Sequence, residues 1–233
     1  MHISLCMNRK IVLTGDGSNT IFSEAVNQHY HSYFGAWQES KHIFIEAGLC
    51  SSLLSNLDTI SILEIGFGTG LNGLLTYFKA KELNKKIYYE TLELYPLTMQ
   101  EIAPLNYPSR LPFPDVAKIF TRLHNVPWDQ PQEISDNFTL HKRHLSATNA
   151  HYLSNRFHLV YFDAFSPEAQ PELWTNEVFA PIYDSMKDES ILLTYCTKGS
   201  VKQTLTALGF QIEKLPGPIG KREILRVKKL LSK

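Results

Sequence analysis

Three acidic side chains stand at the ends of predicted strands, and their types and spacing suit chemistry on a bound ligand. Glu64 closes one strand just before a glycine-rich turn, Glu93 closes the next, and Asp163 closes a later one. In an open α/β sheet the carboxyl ends of parallel strands meet at one edge, where ligands bind. The sequence therefore predicts that the three carboxylates share a single site.

The turn after Glu64 reads Gly66-Phe-Gly-Thr-Gly70. Glycine permits unusual backbone dihedrals and lets a ligand approach the chain closely. The glycines occupy every second position, unlike the dinucleotide pattern, and this favours S-adenosylmethionine, with the turn beside its methionine part and Glu64 helping to place it. A purely structural turn is the alternative. The cofactor contacts expected in this segment are Glu64, Gly66, Phe67, Gly68, Gly70 and Asn72.

Glu93 lies roughly 20 residues beyond the glycine turn, where an acidic side chain can accept both hydroxyls of a ribose. Its position matches that of Glu64 one strand earlier. A surface glutamate at a strand end is the other interpretation. S-adenosylmethionine and NAD both carry that ribose, so Glu93 supports a nucleotide-type cofactor without choosing between them.

The segment Asp163-Ala-Phe-Ser-Pro167 is the most informative second motif. A methyl group is transferred to an amine by direct displacement, so an acceptor must orient the N–H and a ring can steady the developing cation. We expect Asp163 to orient the amine and to accept its proton, with Phe165 and Pro167 shaping the pocket. Asp163 as a cap of the following helix is the alternative. Trp174 is either a substrate platform or a core anchor.

Around these residues the chain alternates between extended and helical patterns, which predicts a doubly wound, mostly parallel α/β sheet of the Rossmann-like class. A small amino-terminal hairpin and an amphipathic helix over residues 39–57, broken near Gly48, precede it in residues 1–58. Residues 59–233 form the core, with an insertion at 106–131 that carries one short helix. The predicted core strands are 60–65, 87–93, 138–142, 159–165 and 191–196, and a closing antiparallel hairpin spans 211–215 and 224–228.

Composition narrows the class of protein. With 233 residues the chain suits one catalytic domain, and 23 basic residues balance 23 acidic ones, so no global positive field indicates nucleic-acid binding.

The three cysteines, Cys6, Cys50 and Cys196, are scattered and match no zinc spacing, which predicts buried free thiols and no metal. No stretch has the length of a membrane span, so we expect a cytoplasmic protein. His29 and His31 alternate as ligands can, but a pocket wall or polar surface is favoured.

Several longer motifs together resemble the methyltransferase domain of the MnmC family. That family completes 5-methylaminomethyluridine at the tRNA wobble position. The resemblance implies a class I S-adenosylmethionine-dependent methyltransferase that methylates the exocyclic amine of 5-aminomethyluridine, with the tRNA anticodon region as partner. The motifs are Gln38-Glu-Ser-Lys-His-Ile-Phe-Ile45, Glu64-Ile-Gly-Phe-Gly-Thr-Gly-Leu-Asn72, Leu92-Glu-Leu-Tyr-Pro-Leu97, Phe162-Asp-Ala-Phe-Ser-Pro167, Pro171-Glu-Leu-Trp174 and Gly220-Lys-Arg-Glu223.

The chain departs from the family pattern in two places. The bifunctional enzyme also carries a flavin-dependent oxidase domain, so we expect this stand-alone form to receive its amine from another enzyme or pathway. Where the family often has Gly-Asp near the adenine, this chain has His144-Leu-Ser146, so backbone groups near Leu145 are the expected contact. In the last motif, Lys221 and Arg222 are expected to contact tRNA phosphates, or else form a solvated basic edge.

Two other functions are compatible with the same residues. The fold and cofactor can serve methyl or aminopropyl transfer to a small-molecule amine, because such enzymes also place acids at these strand ends. The chain can also be a non-catalytic scaffold of the same fold. The presence of Glu64, Glu93 and Asp163 together argues against the scaffold.

Overall fold

The computed structural model describes residues 8–231, so Cys6 lies outside the described part. The chain opens with a three-stranded antiparallel sheet made of β1 (Arg9–Leu13), β2 (Asn19–Ser23) and the short β3 (Gln28–His29). The predicted amino-terminal hairpin is confirmed, and β3 is an addition to it. The Asp16 carboxylate stabilises the turn between β1 and β2 by accepting hydrogen bonds from the backbone N–H groups of Ser18 and Gln38, both at 2.9 Å.

The helix that follows begins earlier and ends earlier than its apolar pattern predicts. It comprises α1 (Ala36–Ser40) and a wider π-type segment, Lys41–Leu49, followed by a separate turn at Ser52–Leu54. Gly48 lies under Tyr161, whose ring would be 3.3 Å from an added Cβ. The missing side chain thus lets the helix pack closely on the main sheet, and the helix ends beside Cys50, which is exposed rather than buried as predicted.

The main sheet has eight strands in the order β10-β11-β9-β8-β4-β5-β7-β6. Its five central strands are parallel, β6 is antiparallel at one edge, and β10 and β11 form the predicted antiparallel hairpin at the other. This confirms the predicted fold class. The strands are β4 (Thr59–Ile65), β5 (Lys86–Leu92), β6 (Pro131–Ser135), β7 (Phe138–Arg143), β8 (Phe157–Phe162), β9 (Met186–Thr194), β10 (Gln211–Pro216) and β11 (Glu223–Lys228).

Helices cover both faces of this sheet. Alternate side chains of strand β8 contribute to the two hydrophobic clusters on opposite faces. Leu159 and Tyr161 face one buried cluster, whereas Val160 and Phe162 face the other, as the alternation of a strand requires. The first cluster receives α2, α4 and the π-type segment, and the second receives α5 and α6. The helices are α2 (Leu71–Glu82), α3 (Met99–Ile102), α4 (Val116–Asn125), α5 (Asn176–Ser185) and α6 (Gly199–Ala207).

The segment between α3 and β6 packs into the core rather than extending over the surface. Helix α4 buries Ile119, Phe120 and Leu123 in the same cluster as α2. Phe113 stacks on Phe78 of α2 with a centroid distance of 4.8 Å. The aromatic residues of this segment are therefore accounted for mainly by packing.

Candidate active site

A cavity of about 630 Å³ opens at the carboxyl edge of the parallel strands. Its floor and walls come from the loops that follow β4, β5, β7 and β8. Residues 23–32 of the amino-terminal sheet cover one side, and Lys221 reaches it from the closing hairpin. The strand-end acids predicted to share one site therefore lie at or beneath a single cavity.

The glycine-rich turn forms part of the cavity wall through Gly66, Phe67 and Gly68. Gly70 lies just behind it, with φ +71° and the Nε2 atom of His124 only 2.7 Å from where a Cβ would stand. The backbone N–H of Gly68 donates to Glu93 Oε2 at 3.0 Å, which joins the turn to the end of β5. Glu93 thus lies beside the turn and lines the cavity.

Asn72, at the start of α2, connects the two innermost carboxyls. Its Nδ2 atom donates to Glu64 Oε1 at 3.1 Å and to Asp163 Oδ2 at 2.8 Å. Glu64 is fully buried beneath the cavity, where its other oxygen accepts from Thr91 Oγ1 at 2.7 Å. Asn72 Oδ1 is also buried and has no hydrogen-bond partner within residues 8–231. One acceptor at the cavity floor is thus available to an N–H donor of a ligand.

The position of these carboxyls deep in the protein changes their acidity. The pKa of Asp163 is raised to about 7, chiefly by desolvation and also by the negative charge of Glu39, against the lowering effects of the Asn72 hydrogen bond and the positive charge of Lys221. Burial raises the pKa of Glu64 to about 8, against the hydrogen bonds from Thr91 and Asn72. A carboxyl that titrates near neutral pH suits a proton acceptor.

The surroundings of Asp163 favour a role in the cavity over a helix cap. Its backbone N–H continues the sheet by donating to Ile65 O at 3.0 Å, and its side chain faces the cavity. The next α-helix, α5, has Thr175 at its N-cap position, twelve residues further along, and the 3-10 turn Pro171–Leu173 before it has Gln170 at that position. Asp163 therefore does not cap it.

The other residues of this motif divide between the cavity and its support. Phe165 lines the cavity and packs edge-on against Tyr30 at 4.9 Å, whereas Pro167 is outside the lining. Trp174 is also outside, buried against Phe162, and its Nε1 donates to Phe165 O at 2.8 Å. The indole thus holds the loop from behind, as a core anchor does.

The structure separates the two basic residues of the closing hairpin. Arg222 is exposed and outside the cavity lining. The Lys221 ammonium instead faces the cavity, 3.3 Å from Glu39 Oε1 and 4.7 Å above the centre of the Tyr195 ring. Sequence reasoning gave Glu39 and Tyr195 no role, because Glu39 lies in a helix outside the parallel strands and Tyr195 falls inside the predicted strand 191–196. The signal for Glu39 was its presence in the Gln38–Ile45 motif.

The remaining predicted contacts lie on the cavity wall. Leu145 lines it beside the loop after β7, next to Ser146 and Ala147. His29 and His31 also line it, and burial lowers the pKa of His31 to about 4, so its ring is neutral. In residues 8–231, no group of three or more potential metal-binding side chains is found.

The residues present fit S-adenosylmethionine. The unpartnered Asn72 Oδ1 can accept from an amino group, and the Glu93 carboxylate at the rim can accept from ribose hydroxyls. The glycine turn exposes its backbone to the cavity between them. The chemistry of these groups matches the polar parts of that cofactor.

Comparisons with known proteins agree with this geometry. Residues 135–229 match a family model described as S-adenosyl-L-methionine-dependent methyltransferase. Curated relatives named tRNA 5-methylaminomethyl-2-thiouridine biosynthesis bifunctional protein MnmC include those of Azoarcus sp. strain BH72, 26% identical over 89% of this chain, and Aromatoleum aromaticum, 27% identical over 93%. The chain covers 34% and 35% of these relatives, so it spans about a third of their length.

A solved structure has the same fold over nearly the whole chain. It is described as MNMC2 from Aquifex aeolicus, with a TM-score of 0.79 and 24% identity, and the match covers 99% of this chain and 72% of that one. The resemblance to the methyltransferase part of MnmC is therefore confirmed, and so is the Rossmann-like class. No helix within residues 8–231 has the length and apolar character needed to cross a membrane.

Proposed function

We propose that this chain transfers a methyl group from S-adenosylmethionine to the exocyclic amine of 5-aminomethyluridine at the tRNA wobble position. The observation that carries the proposal is Asp163, a carboxyl held by Asn72 at the floor of a cavity walled by the glycine turn. The similarity to MnmC proteins supports the choice of substrate. Because the chain spans about a third of those relatives, the proposal concerns methyl transfer alone.

The same proposal covers the partner and the compartment. A wobble uridine lies in the anticodon loop, so the anticodon region of tRNA is the part that must reach the cavity, in the cytoplasm. Single-stranded loops present splayed bases, which enter pockets more easily than paired ones. Small-molecule amine transfer and a non-catalytic scaffold, the two other functions compatible with the sequence, are less well supported by the comparisons.

The chain's own residues would hold the cofactor on three sides. Glu93 would accept from the ribose hydroxyls, and backbone near Leu145 would border the adenine. Asn72 Oδ1 and the turn at residues 66–69 would contact the methionine part. When bound, S-adenosylmethionine supplies an electrophilic methyl group attached to a positively charged sulfur.

Asp163 would perform the proton chemistry. An alkylamine is largely protonated at neutral pH and has no free lone pair in that form, so it must lose a proton before its nitrogen can bond to carbon. The Asp163 carboxylate, whose pKa lies near 7, can take that proton and continue to accept an N–H bond. The carbon–nitrogen bond then forms as the carbon–sulfur bond breaks, and most of the rate comes from alignment of the two reactants.

The experiment uses tRNA purified from cells that lack this protein. Incubation with the protein and radiolabelled S-adenosylmethionine is expected to label that tRNA, and mass spectrometry of its nucleosides is expected to show 5-methylaminomethyluridine derivatives replacing the aminomethyl forms. Wild-type tRNA, already methylated, is the matched control and should take up little label. An unlabelled, unchanged aminomethyl nucleoside would refute the proposal.

A further inference from the structure

Glu39 is an acidic residue of the cavity that the mechanism above does not use. It lies in α1 with only 8% of its surface exposed and is one of the cavity-lining residues. Its Oε2 atom accepts a hydrogen bond from the Ser32 backbone N–H at 2.6 Å, and its Oε1 atom lies 3.3 Å from Lys221 Nζ. Two separate parts of the chain thus fix the direction of this carboxylate.

Glu39 and Asp163 are brought together although 124 positions separate them in the sequence. The charge of Glu39 is close enough to raise the pKa of Asp163, and both carboxylates raise the pKa of the buried Tyr195 phenol. The Tyr195 hydroxyl is already used, because it donates to Ala164 O at 2.8 Å. Lys221 contacts both Glu39 and the Tyr195 ring, and Asp163 lines the same cavity, so the cavity wall carries two carboxylates together with these groups.

A primary amine needs two acceptors if its lone pair is to point in one direction. Once neutral, the nitrogen has two N–H bonds and one lone pair. A single acceptor leaves the group free to rotate about that hydrogen bond, whereas two acceptors fix both N–H bonds and thereby the lone pair. Alignment of this kind is the main source of rate in a direct displacement.

The other carboxylates near the cavity do not meet this need. Glu64 is fully buried below Asn72, and Glu93, which the backbone N–H groups of Gly68 and Tyr95 hold beside the glycine turn, serves the ribose in the function proposed above. Glu172 lines the cavity but is exposed to solvent. Among the cavity-lining acids in the described part of the chain, Glu39 is the one that is buried and faces Asp163.

We propose, on the basis of the function proposed above, that Glu39 is the second acceptor for the substrate amine, and that Lys221 and the Ser32 N–H are positioning groups that hold its carboxylate. Asp163 and Glu39 each accept one N–H of the neutral amine, and Asp163 takes the proton that the ammonium form loses. The immediate product is a secondary ammonium, which keeps two N–H groups. A second transfer would first require loss of one of these protons, and the secondary amine then formed has a single N–H and cannot pair with both carboxylates. The pair therefore aligns the primary amine better than the methylated product.

The proposal predicts opposite shifts in the acidity of Asp163 for two variants. The groups that face Asp163 are Glu39 from α1, Lys221 from the closing hairpin, Asn72 from α2, Glu64 from β4 and Tyr195 after β9. Glu39→Gln removes a negative neighbour, so the pKa of Asp163 should fall. Lys221→Met removes a positive neighbour, so that pKa should rise.

Steady-state kinetics with the undermethylated tRNA tests the substrate role. Because a hydrogen bond to a charged group contributes about 1.5–3 kcal/mol, Glu39→Ala should lower kcat/KM by roughly tenfold to a hundredfold. Glu39→Gln keeps an acceptor oxygen and should lose less, with the acidic limb of its pH profile at lower pH. Glu46→Gln, an exposed change in the adjoining π-type segment, is the matched control. Wild-type kcat/KM in Glu39→Ala would overturn the proposal.

Two measurements without turnover separate this inference from the proposed function and from misfolding. Binding of S-adenosylhomocysteine should be unchanged in Glu39→Gln, which shows an intact fold. Carbon-13 titration of the Asp163 carboxyl should show its midpoint at lower pH in Glu39→Gln and higher pH in Lys221→Met. If the wild-type protein fails to methylate tRNA, the proposed function falls. If the midpoint of Asp163 is the same in all three proteins, this inference falls, whatever the activity.

Discussion

At the scale of residues, the site depends on an amide that bridges two acids. Asn72 donates to Glu64 and Asp163 at once and leaves its own oxygen to a ligand. The sequence predicts that Glu64, Glu93 and Asp163 share one site, because each ends a parallel strand and the carboxyl ends of parallel strands lie at one edge of the sheet. It could not predict Glu39 or the inward direction of Lys221, because both depend on how elements outside the parallel strands pack over the cavity.

Asp163→Asn is expected to abolish most turnover while preserving cofactor affinity. The amide has nearly the same shape but cannot take a proton, and general base catalysis contributes about 10²–10⁴ in rate. We expect a loss of at least about a hundredfold in kcat. Radiolabel transfer to undermethylated tRNA measures the rate, and calorimetry with S-adenosylhomocysteine measures the affinity. Turnover near the wild-type rate would show that Asp163 has no catalytic role.

The pH dependence of the wild-type enzyme follows from the same carboxyl. Asp163 accepts a proton only when it is ionised, and its pKa is raised to about 7 mainly by desolvation. Activity should therefore be present above pH 7 and should fall as the pH decreases through that value. A profile of kcat/KM from pH 5 to pH 9 checks this. An acidic limb centred near pH 4, the range of an ordinary aspartate, would contradict it.

Cofactor binding should release protons at neutral pH. Burial raises the pKa values of Glu64 and Asp163 to about 8 and about 7, so the folded site retains protons there. The positive sulfonium and amino groups of the cofactor favour the ionised carboxyls and expel those protons. Calorimetry of S-adenosylmethionine binding in buffers of different ionisation enthalpy measures the number released. S-adenosylhomocysteine, which lacks the sulfonium charge, should release fewer, and equal release from both ligands would contradict the argument.

At the scale of elements, the core strands were predictable and their ends less so. The pattern located β4, β5, β8 and β9 because each has a run of buried residues, and β7 because buried and half-buried residues alternate along it. Strand β8 ends at Phe162, three residues before its predicted end, because the chain turns away there to place Asp163 and Phe165 at the cavity. The strand β6 was missed because it begins with Pro131 and buries few side chains.

The glycine turn should be intolerant of side chains for a conformational reason. Gly70→Ala places a Cβ at a left-handed φ of +71° and 2.7 Å from His124 Nε2. We expect a loss of about 1–3 kcal/mol in the free energy of unfolding, measured by denaturant titration, together with weaker cofactor binding. Gly199→Ala, at the first position of α6 with open space around it, is the control and should preserve or raise stability. Equal losses from both changes would refute this account.

At the scale of the whole molecule, the amino-terminal sheet is tied to the cofactor side of the cavity. Arg9 of β1 reaches across to Glu101 of α3 at 3.1 Å and donates to Tyr95 O at 2.8 Å. Its side chain is only 6% exposed, so this contact is shielded from water. The composition pointed to one domain, but this connection could not be derived from the sequence, since 92 positions separate the two charges.

Replacing Arg9 should destabilise both of the segments that it connects, the amino-terminal sheet and the chain around α3. Arg9→Gln leaves the Glu101 carboxylate without its cation, so we expect a loss of about 1–3 kcal/mol in stability. Faster amide hydrogen exchange is expected in residues 93–102 and 28–32, along with weaker binding of S-adenosylhomocysteine. Lys10 lies next to Arg9 in β1 and forms an exposed ion pair with Glu24. The control variant Lys10→Gln should change none of these quantities. Unchanged exchange in Arg9→Gln would show that the contact does not hold the cavity wall.

Both outer strands of the main sheet carry residues that oppose further strand addition. Strand β6 begins with Pro131, and strand β10 ends with Pro216 after the charged pair Glu213 and Lys214. Proline offers no backbone N–H to a neighbouring strand, and charged side chains on an edge disfavour pairing. The eight-stranded sheet is thereby protected against edge-to-edge aggregation, and variants that replace Pro131 or Pro216 with a β-branched residue would make those edges more open to self-association.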